Sequence, residues 1–325
     1  MKRFIGFLCL LLSLPHAAHA LCVNLAFGDA PSLATFEGGS GGYAVYDPQE
    51  YLQTVSFEVR GEATGATGAT CEYFVTLSAG QSGDFDLRQL SEKMNRLNYN
   101  AYTDSGKSNV FKALPTAAQG QVIAGSFPVA IALTQTHTHE FFWTVNPRQM
   151  VAASGMPYAD VNLTLSLYSG LLFLSPTLEA TKTITFQARV DSSVDVSLVE
   201  SGQRFDIGET TQLVDFGILE SGEQRGFDVV VRSNNGYVVT MQSQNRQLLV
   251  HSRAPTITDT VSYSVIFNGG GVDLSTGAPV EVIAGTGTTP ATGIAFPIEF
   301  TVGTFSGDEA AGTYSDVINV EVTAN

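Results

Sequence analysis

Apolar and polar residues alternate with a period of two along most of the chain. Val55, Phe57 and Val59 alternate with Ser56, Glu58 and Arg60, and Tyr73, Val75 and Leu77 with Phe74, Thr76 and Ser78. Val161, Leu163, Leu165 and Leu167 alternate with Asn162, Thr164 and Ser166. Further on, Ile184, Phe186, Ala188 and Val190 alternate with Thr185, Gln187 and Arg189, and Ile318, Val320 and Val322 with Asn319, Glu321 and Thr323. A period of two puts one side of each segment in a core and the other in water, which is the signature of half-buried strands. Gly, Asn, Asp and Ser punctuate the segments as turns do. Many short strands of this kind predict an all-β fold of sandwich type. The one stretch that suggests a helical turn is 87–97. In Phe141-Phe142-Trp143, at least one ring is expected in a core.

The pattern occurs twice. Gly155-Met156-Pro157-Tyr158-Ala159-Asp160-Val161 opens one strand and Gly312-Thr313-Tyr314-Ser315-Asp316-Val317 opens another. Two similar sandwiches in tandem are the simplest reading. Gly170 and Pro176 mark the boundary, which is expected between Ser169 and Thr181, giving units of 21–174 and 175–325. Counted from the tyrosines, the apolar positions differ in parity between the two copies. A one-residue shift exchanges a strand's faces, so the first copy is expected to carry a bulge.

The N-terminus has a different character. Lys2 and Arg3 precede an apolar run, Phe4 to Leu14, broken by Pro15 and His16, and Ala18-His19-Ala20 supplies a small–x–small cleavage pattern. This reads as a secretory signal peptide over residues 1–20, and no later apolar run approaches the length of a membrane span. Its removal takes Lys2, Arg3 and Cys9, so the formal charge moves from −15 to −17. Such a chain repels nucleic acid and anionic membranes, and neither is an expected partner. Cys22 and Cys71 then remain as an even pair in an exported chain, and a disulfide is expected. Two free thiols at a metal or catalytic site are the alternative, without a histidine spacing to support them.

Candidate chemistry is sparse. Gly38-Gly39-Ser40-Gly41-Gly42 matches G-x-S-x-G but lacks a strand-to-helix setting and reads as a flexible loop. His137 and His139, followed by Glu140, share one strand face. They form half a metal site or, the more ordinary reading, a solvated strand end. Gly269-Gly270-Gly271 and Gly285-Thr286-Gly287 lack the lysine or helix of a phosphate loop. No enzyme, cofactor or metal is expected.

Several segments resemble the spore coat protein U type of pilin domain found in archaic chaperone–usher pili. They are Cys22-Val23-Asn24 with Phe27-Gly28, Cys71 to Gly80, and Leu97-Asn98-Tyr99-Asn100-Ala101-Tyr102-Thr103-Asp104. In the second half, Val214-Asp215-Phe216-Gly217, Ser243-Gln244-Asn245, Gly271 to Ser275 and Ala311 to Asp316 resemble the adhesin-associated form of that domain, which here has no cysteines.

The resemblance implies two immunoglobulin-like sandwiches, the second lacking its last strand. A periplasmic chaperone fills the open groove first, and the arm of an adjacent pilin subunit fills it later, by strand addition. The outer-membrane usher is the third partner. Phe186, Val190, Ile318, Val320 and Val322 are the expected groove residues. Cys22 stands second in the processed chain, which leaves no arm to donate and implies a place at the pilus tip, outside the cell. The first sandwich must then close itself, with Leu171-Leu172-Phe173-Leu174 either its last strand or a buried linker. The family's tip adhesins present hydrophobic loops to abiotic or host surfaces, as in biofilm formation. By the expected strand directions those loops carry Leu33, Phe36, Val110, Phe111, Leu114, Met150, Val151 and Met156. Each of these residues alternatively plugs the core. A sugar-reading lectin and a structural subunit without a receptor remain as other readings of the same scaffold.

Overall fold

The computed structural model describes residues 20–129, 133–171 and 174–325. The expected signal peptide, apart from Ala20, lies outside the described residues. So do Leu172 and Phe173, and with them the expectation that Leu171–Leu174 forms a closing strand.

The described residues form strands and a single 3-10 turn at Gly80–Ser82. The first ten strands are β1 (Leu21–Phe27), β2 (Leu33–Phe36), β3 (Leu52–Thr64), β4 (Thr70–Leu77), β5 (Arg88–Glu92), β6 (Asn95–Tyr102), β7 (Ile123–Pro128), β8 (Gln135–Val145), β9 (Tyr158–Ser169) and β10 (Thr177–Ala188). They make one curled sheet in the order β1-β3-β8-β6-β5-β9-β10-β2, with β4 joined to β9 and β7. The layers remain one sheet because β9 is shared. It pairs with β10 along its length, touches β5 at Ala159 and pairs with β4 from Leu165 to Ser169. The expected helical turn at 87–97 is a hairpin of β5 and β6, in which buried Leu90 and Leu97 face each other across the strands. That cross-strand pair outweighs the weak local helical preference.

The second ten are β11 (Val194–Val199), β12 (Gln224–Ser233), β13 (Tyr237–Ser243), β14 (Leu248–His251), β15 (Thr260–Phe267), β16 (Gly270–Val272), β17 (Val280–Gly285), β18 (Ile294–Val302), β19 (Tyr314–Ser315) and β20 (Ile318–Ala324). One layer runs β11-β12-β18-β15-β14-β19 with β16 beside β15, and the other runs β17-β13-β20. The core between them holds Phe227, Val229, Val239, Met241, Val265, Phe267, Ile298 and Phe300. Gly285 in β17 lies flat against the Tyr237 ring, where an added Cβ would come within 2.3 Å of it. Only glycine fits there.

The expected boundary at residue 174 is corrected by β10. This strand pairs antiparallel with β9 from Thr177 opposite Ser169 to Ala188 opposite Tyr158. At its far end it also pairs in parallel with β2, from Thr185 beside Leu33 to Ala188 beside Phe36. Ile184, Phe186 and Ala188 are fully buried in the first core, and Val190 follows them there. Phe186 and Val190 therefore do not line a groove of the second sandwich. The alternation of residues 184–190 marks a buried face, and the first core is where that face lies. The Phe186 ring packs 4.5 Å from Trp143 and 6.0 Å from Phe141.

The parity shift between the two copies has the expected cause. Ile184 faces Leu163 while Phe186 faces Asp160, so β9 carries one extra residue there. The bulge turns Val161 outward, 51% exposed, and not inward as alternation suggested. Cys22 and Cys71 form the disulfide, tying β1 to β4. A link of this span stabilises a fold by roughly 2–4 kcal/mol.

Trp143, the single tryptophan, reports on the first sandwich alone. Phe186→Ala is expected to lower the urea-unfolding free energy followed by Trp143 fluorescence by about 3–5 kcal/mol. An unchanged tryptophan transition would assign β10 to the second sandwich after all.

Candidate functional site

The direction of β10 decides which loops stand at which end. β9 runs away from the second sandwich, and β10 returns along it, so the linker leaves from the end where β9 begins. The loop 146–157 therefore lies at the junction, not at the free end as expected. Ala153 N donates to Asn234 O of the second sandwich at 3.2 Å. Asn234, fully buried, also donates its side-chain amide to Asp191 O and accepts from Ser193 N, both at 2.8 Å. Arg232 lies between two rings, 3.9 Å from the Tyr46 centroid and 4.2 Å from that of Phe205, and pairs with Asp195 at 3.0 Å. The half-buried contact with Tyr46 crosses between the sandwiches, and a cation–aromatic contact of this kind is worth more than an exposed ion pair. Ser40, the serine of the G-x-S-x-G match, donates to the Asp191 carboxylate at 2.5 Å and faces no histidine.

The residues expected on binding loops divide accordingly. Phe36, Phe111 and Val151 are buried in the first core, where Phe36 stands edge-on to Trp143. The Phe111 carbonyl accepts from Arg88 at 2.5 Å. Arg88 is itself wholly buried, and that burial pushes its pKa down to about 10. Met150 packs against the same core, and Leu114 joins a small cluster with Phe74, Ala117 and Val122. Val110 is half-buried and bridges to Tyr102. Leu33 and Met156 are exposed, but neither stands at the free end.

At the free end, opposite the junction, three connections come together. The β3–β4 turn lies beside Leu21, because Leu21 pairs with Thr64. The β7–β8 connection leaves from Pro128, opposite Thr70, and the β9–β10 connection is anchored by Gly170 N donating to Glu72 O at 2.9 Å. Four large aliphatic side chains are exposed here: Leu21 70%, Leu133 66%, Leu174 67% and Leu171 37%. Grouped apolar exposure of this kind marks a contact surface more often than isolated leucines do. Sequence reasoning missed these residues because their loops carry no alternation, and only the path of β10 brings them together.

The second sandwich shows a different kind of exposure. Among the described residues β20 pairs with β13 on one side only, in register from Ile318 opposite Ser243 to Ala324 opposite Tyr237. Ile318, Val320 and Val322 turn toward the core but are only half-buried, whereas Val239 and Met241 of β13 are fully buried. Val194, Val196 and Leu198 of β11 are half-buried in the same way. Residues 212–219 run beside this opening without a strand partner among the described residues, and they place Val214 and Phe216 against the core.

The first sandwich shows what such an opening accommodates, because the same parts recur in it. Tyr99 donates to Asp160 at 2.8 Å, and Tyr263 donates to Asp316 at 2.6 Å. Burial raises the Asp160 pKa, although Tyr99, Asn162, Gln81 and Arg88 all favour the carboxylate. Asp160 is the third residue of β9, and Asp316 lies two residues before β20. Leu33-Ala34-Thr35-Phe36 alternates outward and inward as Leu213-Val214-Asp215-Phe216 does. In the first sandwich β10 fills the place between these two parts. In the second, no strand among the described residues does.

His137 and His139 are not a solvated strand end. Both turn toward the core and share the hydroxyl of buried Tyr73, which lies 2.8 Å from His137 Nδ1 and 2.9 Å from His139 Nε2. The hydroxyl has one proton, so it donates to one ring and accepts from the other. No third His, Cys, Asp or Glu joins them among the described residues. Burial, with His137 beside it, holds the His139 pKa below the usual imidazole range. The folded protein thus resists protonation here more than the unfolded chain does. The stability this group contributes is complete above about pH 6.5, the unfolded value, and is lost as the pH falls from there toward the depressed folded value. Melting temperatures measured from pH 8 to pH 5 should fall less steeply for His139→Gln than for the natural chain. Parallel curves would show that His139 carries no linkage.

No curated protein matches the sequence. Solved structures to which the chain has a distant likeness include the following three. The CsuC–CsuE chaperone–tip adhesion subunit pre-assembly complex from archaic chaperone–usher Csu pili of Acinetobacter baumannii aligns with TM-score 0.39 and 13% identity, over 91% of this chain and 99% of that one. The CupB6 tip adhesin from Pseudomonas aeruginosa aligns with TM-score 0.38 and 10% identity, over 94% and 95%. CfaE, the adhesive subunit of CFA/I fimbria of enterotoxigenic Escherichia coli, aligns with TM-score 0.33 and 10% identity, over 92% and 81%. The sequence itself matches one family model, the Spore Coat Protein U domain, over residues 24–164, from within β1 to within β9. That match falls within the first sandwich, whose Cys22–Cys71 disulfide ties β1 to β4.

Proposed function

We propose that the chain is a two-domain pilus subunit with one task at each end. Its second sandwich accepts a strand, first from a periplasmic chaperone and then from an adjacent pilin subunit, during assembly through an outer-membrane usher. Its first sandwich is the adhesin, displayed outside the cell at the fibre tip, where it attaches to an abiotic or host surface and supports biofilm formation. Binding and not catalysis is the activity.

The observation that carries this reading is the edge of β20. Its inward residues Ile318, Val320 and Val322 stay half in water beside an unpaired backbone, and in the first sandwich the matching place is filled by β10. An apolar edge of this length pairs with another chain if left alone. Burying the remaining apolar surface of such side chains is favourable by about 0.8 kcal/mol per methylene, which suits a strand added from outside. The match of residues 24–164 to the Spore Coat Protein U domain supports the pilus setting. The apolar free end, with Leu21, Leu133, Leu171 and Leu174, supports surface attachment by the pole farthest from the groove. It replaces the expected set of Leu33, Phe36, Val110, Phe111, Leu114, Met150, Val151 and Met156.

Two experiments test the two ends separately. Co-expression of the full chain with a periplasmic pilus chaperone is expected to give a soluble complex. Expression alone is expected to give aggregated or degraded protein, and a stable soluble monomer would overturn the strand-accepting role. For the other end, Leu133→Asp with Leu174→Asp is expected to leave the chaperone complex intact and to reduce attachment to apolar plastic at least tenfold. Undiminished attachment would remove the free end from the binding surface.

A further inference from the structure

We infer that the strand entering the second sandwich carries basic side chains at two outward positions six residues apart, where they meet Glu321 and Asp215. This rests on the reading that an outside strand fills the groove, and it specifies the chemistry of that strand.

The first sandwich provides the template. β10 runs antiparallel to β9 and parallel to β2, and its inward residues fill the core while its outward residues lie alongside those of its neighbours. Two marks align the second sandwich with it. The buried Tyr-to-carboxylate bond matches Asp160 with Asp316, and the Leu–x–x–Phe segment matches Thr35 with Asp215. With the extra residue of the β9 bulge discounted, inward Leu163, Leu165 and Leu167 match inward Ile318, Val320 and Val322. Outward Ser166 then matches outward Glu321.

The partners on β10 follow from its register. Thr181 lies opposite Ser166, and Gln187 lies beside Thr35, whose hydroxyl it reaches at 3.1 Å. Both are outward residues, and both sites are neutral in the first sandwich. In the second sandwich both are acidic. The position matching Thr181 faces Glu321, and the one matching Gln187 faces Asp215.

The surroundings strengthen the bias. Thr240 pairs with Glu281 on one side and Glu321 on the other, so the outer face of this sheet presents a row of Glu281, Thr240 and Glu321. Glu281, Glu321 and Asp215 are exposed, and none takes part in an ion pair among the described residues. A strand added beside β20 extends that row. A cross-strand neighbour of opposite charge is favoured there, and one of like charge is disfavoured. The alternation of inward apolar residues sets whether a strand enters, and the two acidic sites discriminate among strands that do.

The test appends a second copy of residues 171–190 after Asn325 of the full chain, so that the chain supplies its own strand. Three forms are compared: the unsubstituted copy, a copy with Thr181→Lys and Gln187→Lys, and a copy with Thr181→Glu and Gln187→Glu. Amide hydrogen exchange of β13 and β20 reports the opening equilibrium of the second sandwich. All three copies are expected to raise protection. The lysine form should exceed the glutamate form by roughly tenfold at low salt, and most of that difference should vanish in 1 M salt. Glu321→Lys with Asp215→Lys in the receiving sandwich should reverse the order. Equal protection from the lysine and glutamate forms would overturn the charge assignment and leave the open groove standing. No protection from any copy would overturn the groove itself, and this inference with it.

Discussion

A strand edge whose apolar face looks into a core has to be paired, and the architecture of this chain follows from how that demand is met twice. In the first sandwich it is met internally. β10 lies between β9 and β2, and Ile184, Phe186 and Ala188 complete a core in which Trp143, Phe141 and Tyr99 surround the Phe186 ring. In the second sandwich β20 and residues 212–219 are the corresponding parts, and Ile318, Val320 and Val322 remain half in water. The same local sequence design thus yields a closed unit and an open one. The difference lies in one strand, not in the composition of either core.

Much of this was legible in the sequence, for a physical reason. Alternation fixes which face of a strand is buried, so the all-β fold and the strands around Val55, Tyr73, Leu163 and Ile318 could be read directly. The Cys22–Cys71 bond followed from an even pair in an exported chain. The parity shift between Val161 and Ile318 required a bulge, and β9 has it. What alternation does not specify is which core receives the buried face. Phe186 and Val190 read as clearly inward, but alternation is silent on the sandwich they complete, because a strand is owned by the edges it pairs with. Without β10 the poles of the first sandwich exchange, so the sequence puts Met150, Val151 and Met156 at the free end when they belong at the junction.

The histidine pair failed in the other direction. His137 and His139 looked solvated because nothing near them in sequence partners an imidazole. Tyr73 reaches them from another strand, and Gly125 makes room, since an added Cβ there would lie 2.4 Å from the Tyr73 hydroxyl. Residues that are silent in sequence, a glycine and a tyrosine on separate strands, decide where the two imidazoles find their hydrogen-bond partner.

The path of β10 also governs how the molecule carries mechanical load. A pull between the apolar free end and the second sandwich enters the first sandwich through the linker after Ala188, in line with the strand. The ladder joining β10 to β9 extends from Thr177 to Ala188 along that same line. Tension is therefore applied to its hydrogen bonds in shear, to many of them at once, and not by peeling them in succession. The strand that closes the first sandwich is in the same geometry its tether, oriented where an antiparallel pair resists extension best.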